Sequence, residues 1–173
     1  SLYLSVRFPK AWIDTAQFPI TLDPTVDYQV GAGANDGVLV SRSFNSNYTT
    51  YRLGQYSTYT RIFLLFSGVT IPDGATIDTS YLSFYENTYC NYGVGTATIS
   101  GNDENNPSVV SSYSDGDGRA LTTANATVTS PNNGSGVWFN SNSINNIISE
   151  LATSYSFASG ANLQFIIADA VGT

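Results

Sequence analysis

Apolar residues recur along this chain at every second position, the spacing of a strand with one buried face, rather than at the 3.6-residue spacing of a helix. Leu2, Leu4, Val6 and Phe8 alternate with Ser1, Tyr3, Ser5 and Arg7. The pattern predicts a strand that ends at Pro9, whose nitrogen cannot donate to a ladder. Phe18 to Leu22 reads as a second short extended piece, closed by Asp23-Pro24. Residues 1–24 carry three prolines and little bulk, and read as an arm or linker. The domain proper is expected over residues 25–173.

Within the domain, Val26 to Val30 alternates, and Gly31 to Gly37 is loop-like by composition. Strands are predicted at Val38–Val40, Thr50–Leu53, Tyr59–Phe66, Thr76–Tyr85, Gly95–Ser100, Ala124–Thr129, Val137–Phe139 and Asn162–Ala168. Ile71-Pro72-Asp73-Gly74-Ala75 reads as a turn, since proline presets φ and glycine tolerates positive φ. Gly101 to Gly118 reads as a long loop. Arg61 to Phe66 is apolar on both faces, as in a central strand covered on two sides. Ile62, Leu64, Phe66, Leu82, Phe84, Leu163 and Phe165 are the expected core. Phe63 and Leu65 then need cover from the arm, a helix or a neighbouring subunit. One segment has helical spacing: Ile144, Ile147, Ile148 and Leu151 stand at i, i+3, i+4 and i+7, with Ser143 as N-cap. These elements predict an all-β chain: an antiparallel two-sheet, jelly-roll-like sandwich with one short helix and an extended N-terminal arm.

Charge narrows the function classes. Only 11% of the 173 residues are charged, with 6 Lys and Arg against 13 Asp and Glu, for a net charge of −7. So few cations argue against nucleic acid and anionic membranes as partners. No apolar run approaches the roughly 18 residues of a membrane-spanning helix. With no histidine in the chain, a Ser-His-Asp triad, a Cys-His dyad and a His-ligated zinc are excluded. The single cysteine, Cys90, cannot form an internal disulfide and reads as a small buried hydrophobe. A chain that starts at Ser1 without a leader is expected to be processed or a fragment.

Several pieces in order resemble a known family: Leu53-Gly54, Arg61 to Phe66, Ile71 to Ile77, Ser80 to Tyr85, Gly101 to Asn105, Trp138 ahead of a short helix, and Leu163 to Ile167. The series resembles the DNRLRE-type extracellular β-sandwich domain, a jelly roll related to carbohydrate-binding modules. Residues 11–16 and 18–25 resemble the lead-in to such domains. The resemblance implies a further closing strand after Leu163–Ile167, where this chain stops at Thr173. Either that strand belongs to sequence beyond this chain, or another segment supplies it.

Four sets of residues carry candidate chemistry. Asp103, Glu104, Asp115 and Asp117 lie in one Gly-rich region, and oxygen ligands on such loops suit Ca²⁺. No cofactor is expected, and structural Ca²⁺ is the one metal these residues would fit. Glu86, Glu104 and Glu150 are the only glutamates, and nothing marks a pair of carboxylates set for glycoside hydrolysis. The 12 Tyr, 9 Phe and 2 Trp are the main compositional signal. Tyr48, Tyr51, Tyr56, Tyr59, Tyr81 and Tyr85, with Phe63 and Leu65, are candidate interface or glycan contacts, because flat amphipathic rings stack on sugars and fill interfaces. Asn47, Asn125 and Asn133 begin N-glycosylation triplets.

These features lead to a non-catalytic extracellular module, at the cell surface or on a virion. Its expected role is a subunit of a surface filament or virion appendage, with copies of itself or other surface proteins as partners. Assembly would be by strand donation through Leu2, Leu4, Val6 and Phe8. The alternative is a carbohydrate-binding module of a secreted polysaccharide-acting protein, with polysaccharide as its partner.

Overall fold

A computed structural model describes residues 26–46, 51, 53, 60–86, 95–131 and 136–169. Strands are the main regular structure among them, and they form two antiparallel sheets. The strands are β1 (Asp36–Val40), β2 (Ser43–Ser46), β3 (Thr60–Val69), β4 (Ser83–Glu86), β5 (Thr96–Asn102), β6 (Leu121–Thr129), β7 (Val137–Asn140) and β8 (Ala161–Asp169). Six of them form one sheet in the order β2-β1-β3-β8-β5-β6, and β4 pairs with β7 in a second. A one-turn helix, α1 (Tyr113–Asp117), follows β5, and α2 (Asn145–Ser154) follows β7.

The period-two pattern sorts side chains as expected. Ile62, Leu82, Leu163 and Phe165 are buried in one cluster, and Leu64, Phe66 and Phe84 pack against it half-buried. Phe66 meets Phe165 edge to face, with ring centroids 5.8 Å apart. The cluster takes residues from both sheets and from α2, which contributes Ile144, Ile147 and Leu151. Helix α2 comes so close to β5 that a Cβ on Gly101 would stand 2.8 Å from Leu151 Cδ1, so only glycine fits there without a shift. The expected helix thus forms, starting two residues later. Ile144 occupies its N-cap, while the Ser143 hydroxyl accepts from the Asn145 N–H at 3.3 Å.

The opposite face of the large sheet is covered as well. Phe63 and Leu65 are only 1% and 2% exposed. Of the expected sources of cover, α2 packs on the other face and the arm lies outside the described residues; over Phe63 the cover is the chain's own 103–120 segment. Phe63, Leu39 and Ile166 form a second cluster with Val110 from that segment. Helix α1 stands directly on it: a Cβ on Gly116 would lie 2.9 Å from Phe63 Cζ. Arg61, on β3, donates to the Gly116 and Asp117 carbonyls at 3.3 and 3.1 Å and so ties down the C-terminal end of α1. Asp-Gly-Asp-Gly reads as turn by composition, yet Ser112 caps α1 by accepting from the Asp115 N–H.

Other boundaries move too. Val26 to Val30 forms no strand, and Tyr28 instead accepts from the Thr70 N–H at 2.8 Å. Residues 75–82 join no ladder, so strand is confined to Ser83–Glu86. The turn at Pro72–Ala75 forms as expected, with Ala75 N–H donating to the Pro72 carbonyl at 3.1 Å. Strand β8 is paired on both sides, with β3 and β5. The arm residues Leu2, Leu4, Val6 and Phe8 lie outside the described residues, as do Thr50 and Arg52 of Thr50–Leu53.

Strand β2 escaped sequence reading because its turn has the wrong letters. Val40 pairs with Ser43, and the two residues between, Ser41 and Arg42, sit at φ 48° and 72°. A two-residue hairpin of this kind favours Asn-Gly. The left-handed region costs a residue that carries a Cβ about 1–2 kcal/mol, more than the roughly 0.5–1 kcal/mol of added chain entropy that glycine brings. Replacing Arg42 with glycine is therefore expected to raise the unfolding midpoint in urea with an unchanged slope.

Candidate functional site

The β4–β7 pair separates its aromatics onto two faces. Phe84 and Phe139 are opposite each other and point inward, stacked with centroids 5.6 Å apart and half-buried against the core. One residue along each strand, Tyr85 and Trp138 are also directly opposite, but point outward. Their rings are 5.3 Å apart at an interplanar angle of 56°. Trp138 is 64% exposed, Tyr85 53% and Tyr81 52%. Exposure alternates from Tyr81 through buried Leu82, exposed Ser83 and half-buried Phe84 to exposed Tyr85. Tyr81, Ser83 and Tyr85 therefore share the outer face with Trp138 and Asn140. The Ser83 hydroxyl donates to Asn140 Oδ1 at 2.7 Å between the aromatics. Tyr81 and Tyr85 lie four residues apart on extended chain, about 13 Å. Tyr81, Tyr85 and Trp138 are the large aromatic rings exposed on this face among the described residues.

Of the candidate contacts, Tyr81 and Tyr85 thus lie together on one exposed face, and Trp138 joins them. Trp138 was not among the candidate contacts; its signal was the alternation Val137-Trp138-Phe139, which needed the β4–β7 register before its outward side could be known. Phe63, under the 103–120 segment, and Leu65 are both buried and offer no surface. Tyr51 is half-buried beside Asp36. Burial pushes the Tyr51 hydroxyl well above its usual range, and the neighbouring Asp36 carboxylate adds to this. Burial also raises Asp36, against the opposing hydrogen bond from Tyr51. Tyr48, Tyr56 and Tyr59 lie outside the described residues.

The acidic region between β5 and β6 forms a shallow cleft of about 450 Å³. Arg119, whose side chain is only 7% exposed, sits at its centre, 2.8 Å from Glu104 and 2.9 Å from Asp115. A guanidinium thus bridges two of the four carboxylates proposed for Ca²⁺. Asp103 accepts from the Tyr155 hydroxyl at 3.1 Å. Asp117 contributes its backbone carbonyl to Arg61. Among the described residues, no three acidic, cysteine or histidine side chains converge as a metal-binding group. The glutamates are spread over separate tasks. Glu104 pairs with Arg119. Glu150, on α2, accepts from the Thr123 and Ala124 N–H groups at 2.8 and 2.7 Å, occupying part of the β6 edge. Glu86 is buried at the end of β4. Of the glycosylation triplets, Asn125 is exposed on β6, and Asn47 and Asn133 lie outside the described residues.

What the geometry defines is an antiparallel β protein with a solvent-facing aromatic row on its two-stranded sheet. Comparison with protein-family models, with curated proteins and with solved structures returns no match.

The latch around Arg119 has a pH signature. Burial opposes the Asp115 charge, but the Ser111 backbone N–H, the Arg119 guanidinium and the Ser111 hydroxyl outweigh it and hold the carboxyl below the usual range. A folded-state value below the unfolded one contributes stability above about pH 4 that is lost as pH falls through the lower folded value. Asp36 has the opposite sign, its raised value favouring the fold as pH falls. Because Asp115 is partly solvated, the gain is small, under about 1 kcal/mol. Replacing Arg119 with methionine is expected to lower the melting temperature at neutral pH. The gap to wild type should narrow as pH is lowered from about 5 to about 2. A gap independent of pH would place the role of Arg119 in packing alone.

Proposed function

We propose that this chain is a non-catalytic binding module that holds polysaccharide on the outer face of β4–β7. In this reading the two sheets form a jelly-roll-like β-sandwich, and the module works outside the cell, on a surface or a virion. The observation that carries it is the facing pair Tyr85 and Trp138, more than half exposed and 5.3 Å apart, with Tyr81 further along the row. Such rings supply broad, stiff, amphipathic area, the kind that stacks on the apolar faces of sugar rings while hydroxyl and amide groups take the sugar edges. Ser83 and Asn140 supply those polar groups between the rings. The resemblance to DNRLRE-type domains, a group related to carbohydrate-binding modules, points the same way.

A second reading is a subunit of a surface filament or virion appendage, assembled from copies of itself by strand donation. It is favoured by the narrowness of the second sheet: among the described residues, β4 and β7 each have one partner strand. Unpaired edges of this kind accept a strand from another chain. The two readings use different parts of β4–β7, its face for sugar and its edges for a strand.

Replacing Trp138 with alanine separates the face from the fold. The variant is expected to lose at least about tenfold in affinity for a retained polysaccharide, the loss of one central aromatic anchor. Its stability should change by about 1 kcal/mol or less, since the ring is largely exposed. The inward control, Phe139→Ala, should instead destabilise the fold by about 3 kcal/mol, less to the extent that its ring is only half-buried. Unchanged retention of the Trp138→Ala variant would refute the reading.

A further inference from the structure

The aromatic row lies in a part of the molecule without charge. Between Glu86 and Asp103 the chain has no Asp, Glu, Lys or Arg, and none occurs between Arg119 and Glu150. These two stretches include all of β5, β6 and β7. In β4 the one ionisable group besides tyrosine is Glu86, which alternates to the inner side and is 8% exposed. The nearest exposed charge along the strand is Asp78, three residues before Tyr81. The outer face itself consists of Tyr81, Ser83, Tyr85, Trp138 and Asn140. With Ser83 donating to Asn140 Oδ1, the Asn140 amide keeps its N–H donors and the Ser83 oxygen its acceptor sites, both on this face.

From this we infer that the ligand is an uncharged polysaccharide, lying along the Tyr81–Tyr85 row with Trp138 beneath one of its rings. The inference rests on the proposed polysaccharide-binding reading and adds the ligand's charge class. Three physical arguments carry it. An anionic glycan needs Arg or Lys to replace the water around its carboxylates or sulfates, and among the described residues this face has neither. It would also meet a protein of net charge −7, whose long-range field repels it. A cationic glycan would need exposed carboxylates among the rings, and the only acid in the strand pair is turned inward. What the face does offer is ring area with neutral donors and acceptors, which matches hydroxyl-rich, uncharged sugar units. Binding by stacking and neutral hydrogen bonds is also insensitive to salt, unlike binding through ion pairs.

Native affinity electrophoresis of the full chain, with polysaccharides of matched backbone cast into the gel, tests this. Suitable pairs are hydroxyethylcellulose against carboxymethylcellulose, and methyl-esterified against de-esterified polygalacturonan; soluble chitin oligomers against chitosan oligomers extend the test to cations. The expected result is retardation by the neutral member of at least one pair, about tenfold stronger than by its charged counterpart. That retardation should be unchanged between about 50 and about 500 mM salt, over which the screening length shrinks severalfold. It should disappear in Trp138→Ala and in Tyr85→Ala. Retardation that depends on Trp138 but is equal or stronger with the charged member, or falls with salt, would overturn the charge class and leave the binding face standing. Retardation by none of the polysaccharides, or retardation indifferent to both variants, would overturn the binding reading and this inference with it.

Discussion

The constraint on which the rest of the structure depends is that β3 and β8 are apolar on both faces. Ile62 and Phe165 point one way, Phe63 and Ile166 the other, and all four are at most 3% exposed. A sheet whose central strands are greasy on both sides must be covered twice. The chain does this with unlike materials: α2 and the β4–β7 pair on one face, and a long connection with one helical turn on the other. The second cover buries little apolar surface of its own, so it is held by directed bonds. Arg61 fixes the end of α1, and Arg119 draws Glu104 and Asp115 together behind it. Two of the chain's six cations thus tie the 103–120 segment in place.

That arrangement explains where the exposed aromatics lie. The β4–β7 pair has its inner side engaged by Phe84 and Phe139, and the period of two then turns Tyr85 and Trp138 to solvent. In an uncovered strand pair these positions would ordinarily carry Thr, Lys or Glu. Rings there lower solubility and give the core nothing, since they face away from it. In the proposed reading they serve a contact, and the neutrality of the surrounding chain sets its chemistry.

The core face was legible in the sequence because alternation over Arg61–Phe66 and Leu163–Ile167 leaves no other side for the bulk to go. The need for cover over Phe63 and Leu65 was legible as well, but its source was not. Residues 103–118 are rich in Gly, Asp, Asn and Ser, and nothing local reveals that Val110 and Gly116 fall on Phe63 across some fifty positions of chain. Strand β2 was hidden by a turn built from Ser41 and Arg42 in place of glycine. The candidate site was half legible: Tyr81 and Tyr85 alternate outward in the sequence, whereas Trp138 joins them only through the pairing of β4 with β7. The acidic residues read as possible oxygen ligands because spacing alone cannot show that Arg119 stands between Glu104 and Asp115.

The central claim is that the Tyr85–Trp138 face holds an uncharged sugar chain. The most direct measurement is the ¹⁵N–¹H resonance of the Trp138 indole, identified as the one removed by Trp138→Phe, followed while a soluble neutral oligosaccharide is added. The account predicts a saturable shift of that resonance, accompanied by shifts in the Tyr81, Ser83, Tyr85 and Asn140 backbone amides and unaltered by salt. A ligand that binds the chain while these resonances stay in place would contradict it.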